Sequence, residues 1–181
     1  MKYIRLFLLS GLFLGVCMTI VYSFQFGDFY IGLITGLTLG FFFGLFNAGF
    51  SYYSDQKLKK KGIDTANTSP RQSRKMSVDA TVSEAIAVSE KAILSLNRSV
   101  IKDKDLTAGT IKAKTKITWK SFGEVIKIST QSSGESQTLI EIKSSPFMPT
   151  NVIDYGKGLD NVETIVNYIK SNLNGEVLAG S

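Results

Sequence analysis

Apolar residues run through this chain in three rhythms. From residue 3 to 53 they are almost continuous, from 82 to about 97 they recur with the period of a helix, and from 99 to 144 they alternate every second position. Residues 6 to 22 carry no charge, and at a rise of ~1.5 Å per residue the stretch 4–22 is about 28 Å long, enough to cross the hydrocarbon layer of a bilayer. A second apolar run covers 29–52. Small residues recur at every fourth place in both runs: Gly11, Gly15, Thr19 and Ser23 in the first, Gly32, Gly36, Gly40, Gly44 and Ala48 in the second. The pattern predicts a transmembrane helical hairpin over 1–54, with spans at about 4–23 and 29–52, packed as a glycine zipper. Lipid tails are as apolar as leucine, so helices in a bilayer associate through close backbone contact over small residues. The stripe fits packing within the chain, packing between copies, or packing on a membrane-protein partner. Thr19, Thr35, Thr38 and Asn47 are expected to donate hydrogen bonds between helices.

Residues 55–77 are polar, basic and too poor in apolar residues to bury a core, which predicts a flexible linker. A soluble α+β domain is expected over 78–175, with 176–181 as a tail. Thr81 and Glu84 have capping-box spacing at the start of a helical face made by Val82, Ile86, Ile93 and Leu96. Strands are predicted at 99–104, 110–118, 124–130 and 137–144. In the second of these, Ile111, Ala113, Thr115 and Ile117 lie on one face and Lys112, Lys114 and Lys116 on the other. Asp160 and Glu163 repeat the capping-box spacing ahead of a stripe at Val162, Ile165, Val166, Ile169 and Leu173. The order is α-β-β-β-β-α, an antiparallel sheet covered on one face by two helices.

Charge refines this picture. The net charge is +6. Residues 1–75 hold nine Lys or Arg against three Asp, whereas 76–181 hold twelve of each sign. The basic excess therefore belongs to the membrane-proximal part, and a nucleic-acid partner, which calls for a basic patch on a folded domain, is not expected. Lys2 and Arg5 flank the first run, and Lys57, Lys59, Lys60 and Lys61 follow the second, while the turn between them carries only Asp28. Basic flanks stay on the cytoplasmic side. The expectation is a multi-pass protein of a bacterial inner (plasma) membrane with both termini cytoplasmic and its lysines against anionic lipid. A cleaved leader is disfavoured, since no Ala-x-Ala pattern follows and Val16 stands where a lipoprotein box needs a small residue before Cys17. With no ionisable residue inside the spans, a pore is not expected.

The chain has no histidine and one cysteine, which removes His-based triads, disulfides and Cys-based metal sites. No cofactor, metal or catalytic residue is expected. The lysine stripe 112, 114, 116 is either a solvated strand face or a surface for anionic lipid or an acidic partner. Trp119 and Phe122 sit in a bend before Glu124, either completing a core or serving as a partner-binding knob. Asp154, Tyr155 and Lys157, with Gly156 and Gly158, precede a helix whose free amides could hold an anion; the glycine spacing is not that of a P-loop. Glu124 and Asp154 could form a carboxylate pair.

The segments Thr118-Trp-Lys-Ser-Phe-Gly-Glu, Ile142-Lys-Ser-Ser-Pro and Asp154-Tyr-Gly-Lys-Gly…Asn161-Val-Glu, within 78–173, resemble a group of small bacterial α+β domains, often membrane-anchored. Their pattern reads Ser-Trp-Gly-Glu, Ser-x-Pro and Asp-Tyr/Trp-Gly-Lys-Asn. The resemblance implies the fold and the anchor but no activity. Gly158 stands where the pattern has Asn, which weakens any role for that loop. The sequence thus leads to a non-enzymatic membrane protein whose cytosolic domain binds a protein partner or the membrane surface, as a homo-oligomer or a subunit of a membrane assembly. The alternative is a tethered domain binding a lipid or small ligand in a groove between helices and sheet.

Overall fold

The computed structural model describes residues 2–65, 69–117, 121–134, 136–148 and 155–178. Its elements are α1 (Lys2–Phe26), α2 (Phe29–Lys60), β1 (Gln72–Val78), α3 (Val82–Ser95), β2 (Ser99–Asp105), β3 (Thr110–Thr115), β4 (Glu124–Ser132), β5 (Thr138–Pro146), α4 (Lys157–Asn172) and β6 (Gly175–Val177). The chain divides into two compact units, 1–60 and 61–181.

In the first unit α1 and α2 run antiparallel, and both are long and apolar enough to cross a membrane. The reversal takes two residues. Gly27 adopts φ +65°, the left-handed conformation that ends a helix cheaply only at glycine. Asp28 then caps α2, its Oδ1 accepting from the backbone N of Tyr30 at 2.7 Å and of Ile31 at 3.3 Å. The helices meet glycine to glycine. A Cβ placed on Gly40 would lie 2.5 Å from the Gly11 carbonyl oxygen and 2.9 Å from Gly15 Cα, and one on Gly44 would lie 2.6 Å from the Phe7 carbonyl oxygen. At the termini, Asp55 takes a hydrogen bond from Lys2 Nζ at 2.6 Å and from Tyr3 OH at 2.8 Å. Residues 55–60, expected in the linker, continue α2.

Thr19, Thr35 and Thr38 each donate to the carbonyl four residues back in their own helix, as does Asn47 to Phe43. The interhelical bonding expected of these hydroxyls is replaced by this local bond, because the nearest acceptor in a helix is the preceding turn's own carbonyl.

The second unit is a six-stranded antiparallel sheet in the order β2-β3-β4-β5-β1-β6 with two helices, an α+β fold. Alternate positions turn inward. Ile111, Ile126, Ile128, Ile140 and Ile142 meet Ile93 of α3 and Ile165 and Ile169 of α4 in a core where each is 1% exposed or less. Burying a side chain of this size is worth about 1.5–3 kcal/mol, so this row dominates the unit's stability.

Two strands depart from the expected order. Residues 72–77, assigned to the linker, form β1 between β5 and β6, and Gly175–Val177, spanning the end of the expected domain and the start of the expected tail, forms β6 against β1. The inward positions of β1 are Gln72, Arg74, Met76 and Val78, so the period-two signal is half polar. Arg74 is accommodated because its Nε and Nη2 both lie 3.0 Å from Glu163 Oε1 on α4. Of the two expected helix caps, the first is present. Thr81 closes a full capping box, its N donating to Glu84 Oε2 at 2.9 Å. The second helix, expected to be capped by Asp160, is instead capped four residues earlier at Gly156, whose φ is +73°. Asp160 sits in its first turn and instead bonds Lys61 Nζ at 2.6 Å.

Candidate functional site

The strands that bury isoleucine on one face present lysine on the other. Because the registers align, Lys112 lies opposite Lys127 and Lys127 opposite Lys143, giving a rung of three cations across three neighbouring strands. Directly opposed residues have Cβ atoms about 4.5–5.5 Å apart, and like charges there are destabilising. Acids relieve only the ends of the rung. Lys143 Nζ lies 2.8 Å from Glu141 Oε2 and Lys112 Nζ 3.4 Å from Asp103 Oδ2, whereas Lys127 has no acidic partner among the described residues. Lys114 stands next along β3, its Nζ 4.0 Å above the centre of the Phe147 ring. Lys116 lies beyond the end of β3, exposed, its backbone N donating to the Arg98 carbonyl at 3.0 Å.

The end of the sheet beside Lys114 is apolar, and Ile117, expected on the inward face of a strand over 110–118, lies past the end of β3 at Thr115. Phe147 N donates to the Gly123 carbonyl at 2.9 Å, and Gly123, with φ +94°, backs onto the Thr115 carbonyl and Ile117 N. These contacts gather the ends of β3 and β5 and the start of β4. There Ile117 is 68% exposed, Phe122 58%, Phe147 53% and Met148 45%.

Beneath this end lies Glu124, fully buried. Ser121 Oγ donates to its Oε1 at 2.6 Å, Gly123 N donates to Ser121 Oγ at 3.1 Å, and Glu124 N donates to Thr115 Oγ1 at 2.9 Å. This buried latch fixes the bend and holds Phe122 out. Asp154, its suggested carboxylate partner, and Trp119 both lie outside the described residues. Among the described residues no three His, Cys, Asp or Glu come together as metal ligands would.

Ahead of α4, Tyr155 has φ +49°, and burial pushes its hydroxyl above the ordinary tyrosine value. Lys157 Nζ lies 3.5 Å from Asp160 Oδ2, so its charge is turned to that carboxylate. Burial acts to raise the Asp160 carboxyl, but the Lys61 hydrogen bond and the charges of Lys157 and Lys61 outweigh it and hold it below its ordinary value of 3.8. Lys57, Lys59 and Lys60 are exposed in the last turn of α2, a favourable place for cations.

Lys127, Lys143 and Phe147 were not singled out by sequence reasoning. The signal was present: both lysines occupy the odd positions between inward residues, 126/128 and 142/144. The chain matches no protein-family model, and no curated protein is significantly similar to it. The site is therefore read from its geometry.

Proposed function

We propose that this is a non-enzymatic, two-pass protein of a bacterial plasma membrane, with both termini cytoplasmic, whose α+β domain acts as a binding module at the membrane surface within a larger assembly. The observation that carries this reading is the inverted burial of the first unit. Over the apolar stretch Gly11, Gly15, Gly32, Gly36, Gly40 and Gly44 are buried, while Leu12, Phe13, Ile34, Leu37 and Phe42 are each 62% exposed or more. In water such a pair would associate or rearrange to hide its large side chains; in a bilayer they face the solvent they match. Lysines at the outer ends, against a turn carrying only Asp28, support the orientation.

The competing reading, a lipid or small-ligand groove between helices and sheet, has less behind it because that space is filled by the isoleucine core. Alkaline extraction of membranes, paired with a compartment-specific reporter at the C-terminus and crosslinking in native membranes, tests the proposal. The expected result is a membrane-retained chain with a cytoplasmic reporter and a defined crosslinked species. Release into the soluble fraction, or a reporter active outside the cytoplasm, would overturn it.

A further inference from the structure

We propose that the open face of the sheet docks flat on the anionic bilayer surface, with the apolar end of the face entering the headgroup boundary and the lysine rung lying over acidic headgroups. This rests on the anchoring reading, since an anchored domain is held where such a surface is always available.

Two independent features point to the same occupant. The first is chemical duality: Ile117, Phe122, Phe147 and Met148 gather at one end at 45–68% exposure, and cations begin immediately beside them. A site for an acidic protein would need the lysines but not this apolar end, and a purely hydrophobic interface would be penalised by the lysines. A bilayer surface offers both environments in layers, acyl boundary below and phosphate above, and peripheral segments enter it with aromatic and aliphatic side chains under a basic surround. The second is the rung, compensated by acids only at its ends. Lys112, Lys127 and Lys143 are held in register by the backbone ladder, and the central one has no acid among the described residues, so a neighbouring sheet of anionic groups relieves a repulsion built into the fold.

The latch on Glu124 adds a positioning element. By fixing residues 121–124 against Thr115, it keeps Phe122 outward rather than folded onto the core. Lys114, its charge 4.0 Å above the centre of the Phe147 ring, sits at the boundary between the two zones.

The test uses the full chain with Cys17→Ser and Met148→Cys carrying an environment-sensitive dye, reconstituted into nanodiscs of phosphatidylcholine alone or with phosphatidylglycerol, each with and without bromine on the acyl chains. Co-elution with nanodiscs reports the anchor, and dye quenching by bromine reports docking. The expected result is co-elution in both lipids, with strong quenching only where phosphatidylglycerol is present. That quenching should fall several-fold at ~1 M salt, where the screening length shrinks to about 3 Å, and in a Lys112→Glu/Lys127→Glu/Lys143→Glu variant. Co-elution without quenching in either lipid would overturn the docking surface and leave the anchor standing. Equal quenching in both lipids, or quenching untouched by the charge reversals, would overturn the role of the rung. Failure to co-elute would remove the anchor and this proposal together.

Discussion

The two units solve the problem of cohesion in opposite ways. The helical pair brings its backbones together by leaving side chains out, so that Gly11, Gly36 and Gly40 meet the facing helix with no room for a Cβ. The sheet unit fills its interior with isoleucine. The difference follows from the surroundings each is suited to. Against lipid, a buried leucine gains little over an exposed one and only closer approach helps; against water, each apolar side chain removed from solvent is stabilising. Volume is therefore forbidden in one interface and required in the other.

The contrast can be broken from either side. Ile128→Ala, which opens a cavity opposite Ile142 in the centre of the sheet, should cost about 2–5 kcal/mol. It should lower the cooperative thermal transition of the second unit, followed by circular dichroism, and leave the helical pair unchanged. An unchanged transition would mean that the core is not where this unit's stability lies. Gly40→Leu is the converse. Its side chain meets the Gly11 carbonyl and Gly15 Cα, neither of which can step aside as a flexible side chain would, and the overpacking should cost about 1–3 kcal/mol. Spin labels at Leu12 and Phe42 should then report a longer, broader distance distribution, with the thermal transition of the sheet unit unmoved.

The smallest effect sharpens the comparison by pH. Asp160 is held below its ordinary value, so its ionised form stabilises the fold above about pH 4 and that contribution disappears as pH falls through the folded value. Asp160→Asn should thus be less stable than the parent at neutral pH, by about 1 kcal/mol or less for a partly exposed pair. The gap between the two chains should narrow in urea titrations as the pH is lowered from about 4. A constant gap across that range would show that the charge is not what matters there.

The helical pair, α3 with its Thr81–Glu84 cap and the alternation on β3, β4 and β5 were all legible in the residue pattern, because each is written by local periodicity. β1 was not. Its inward Arg74 is made tolerable by Glu163 on α4, far along the chain, and no local window contains that partner. The lysine face was legible on one strand only. Alternation gave Lys112 and Lys114, but only the register across β3, β4 and β5 brings in Lys127 and Lys143, and register is a property of pairs of strands. The early start of α4 escaped notice because Gly156 sets it through its backbone conformation and not through a side-chain signature.

The position of β1 also bears on how the molecule is made. It is the first strand of its sheet to leave the ribosome, yet both its neighbours, β5 and β6, come after β2, β3 and β4. Met76, which ends opposite Ile140 on one side and Val177 on the other, has no strand partner until β5 has emerged. Non-local pairing of this kind slows folding. Through most of its synthesis the nascent domain carries two bare strand edges, open to a chaperone or to a neighbouring nascent chain.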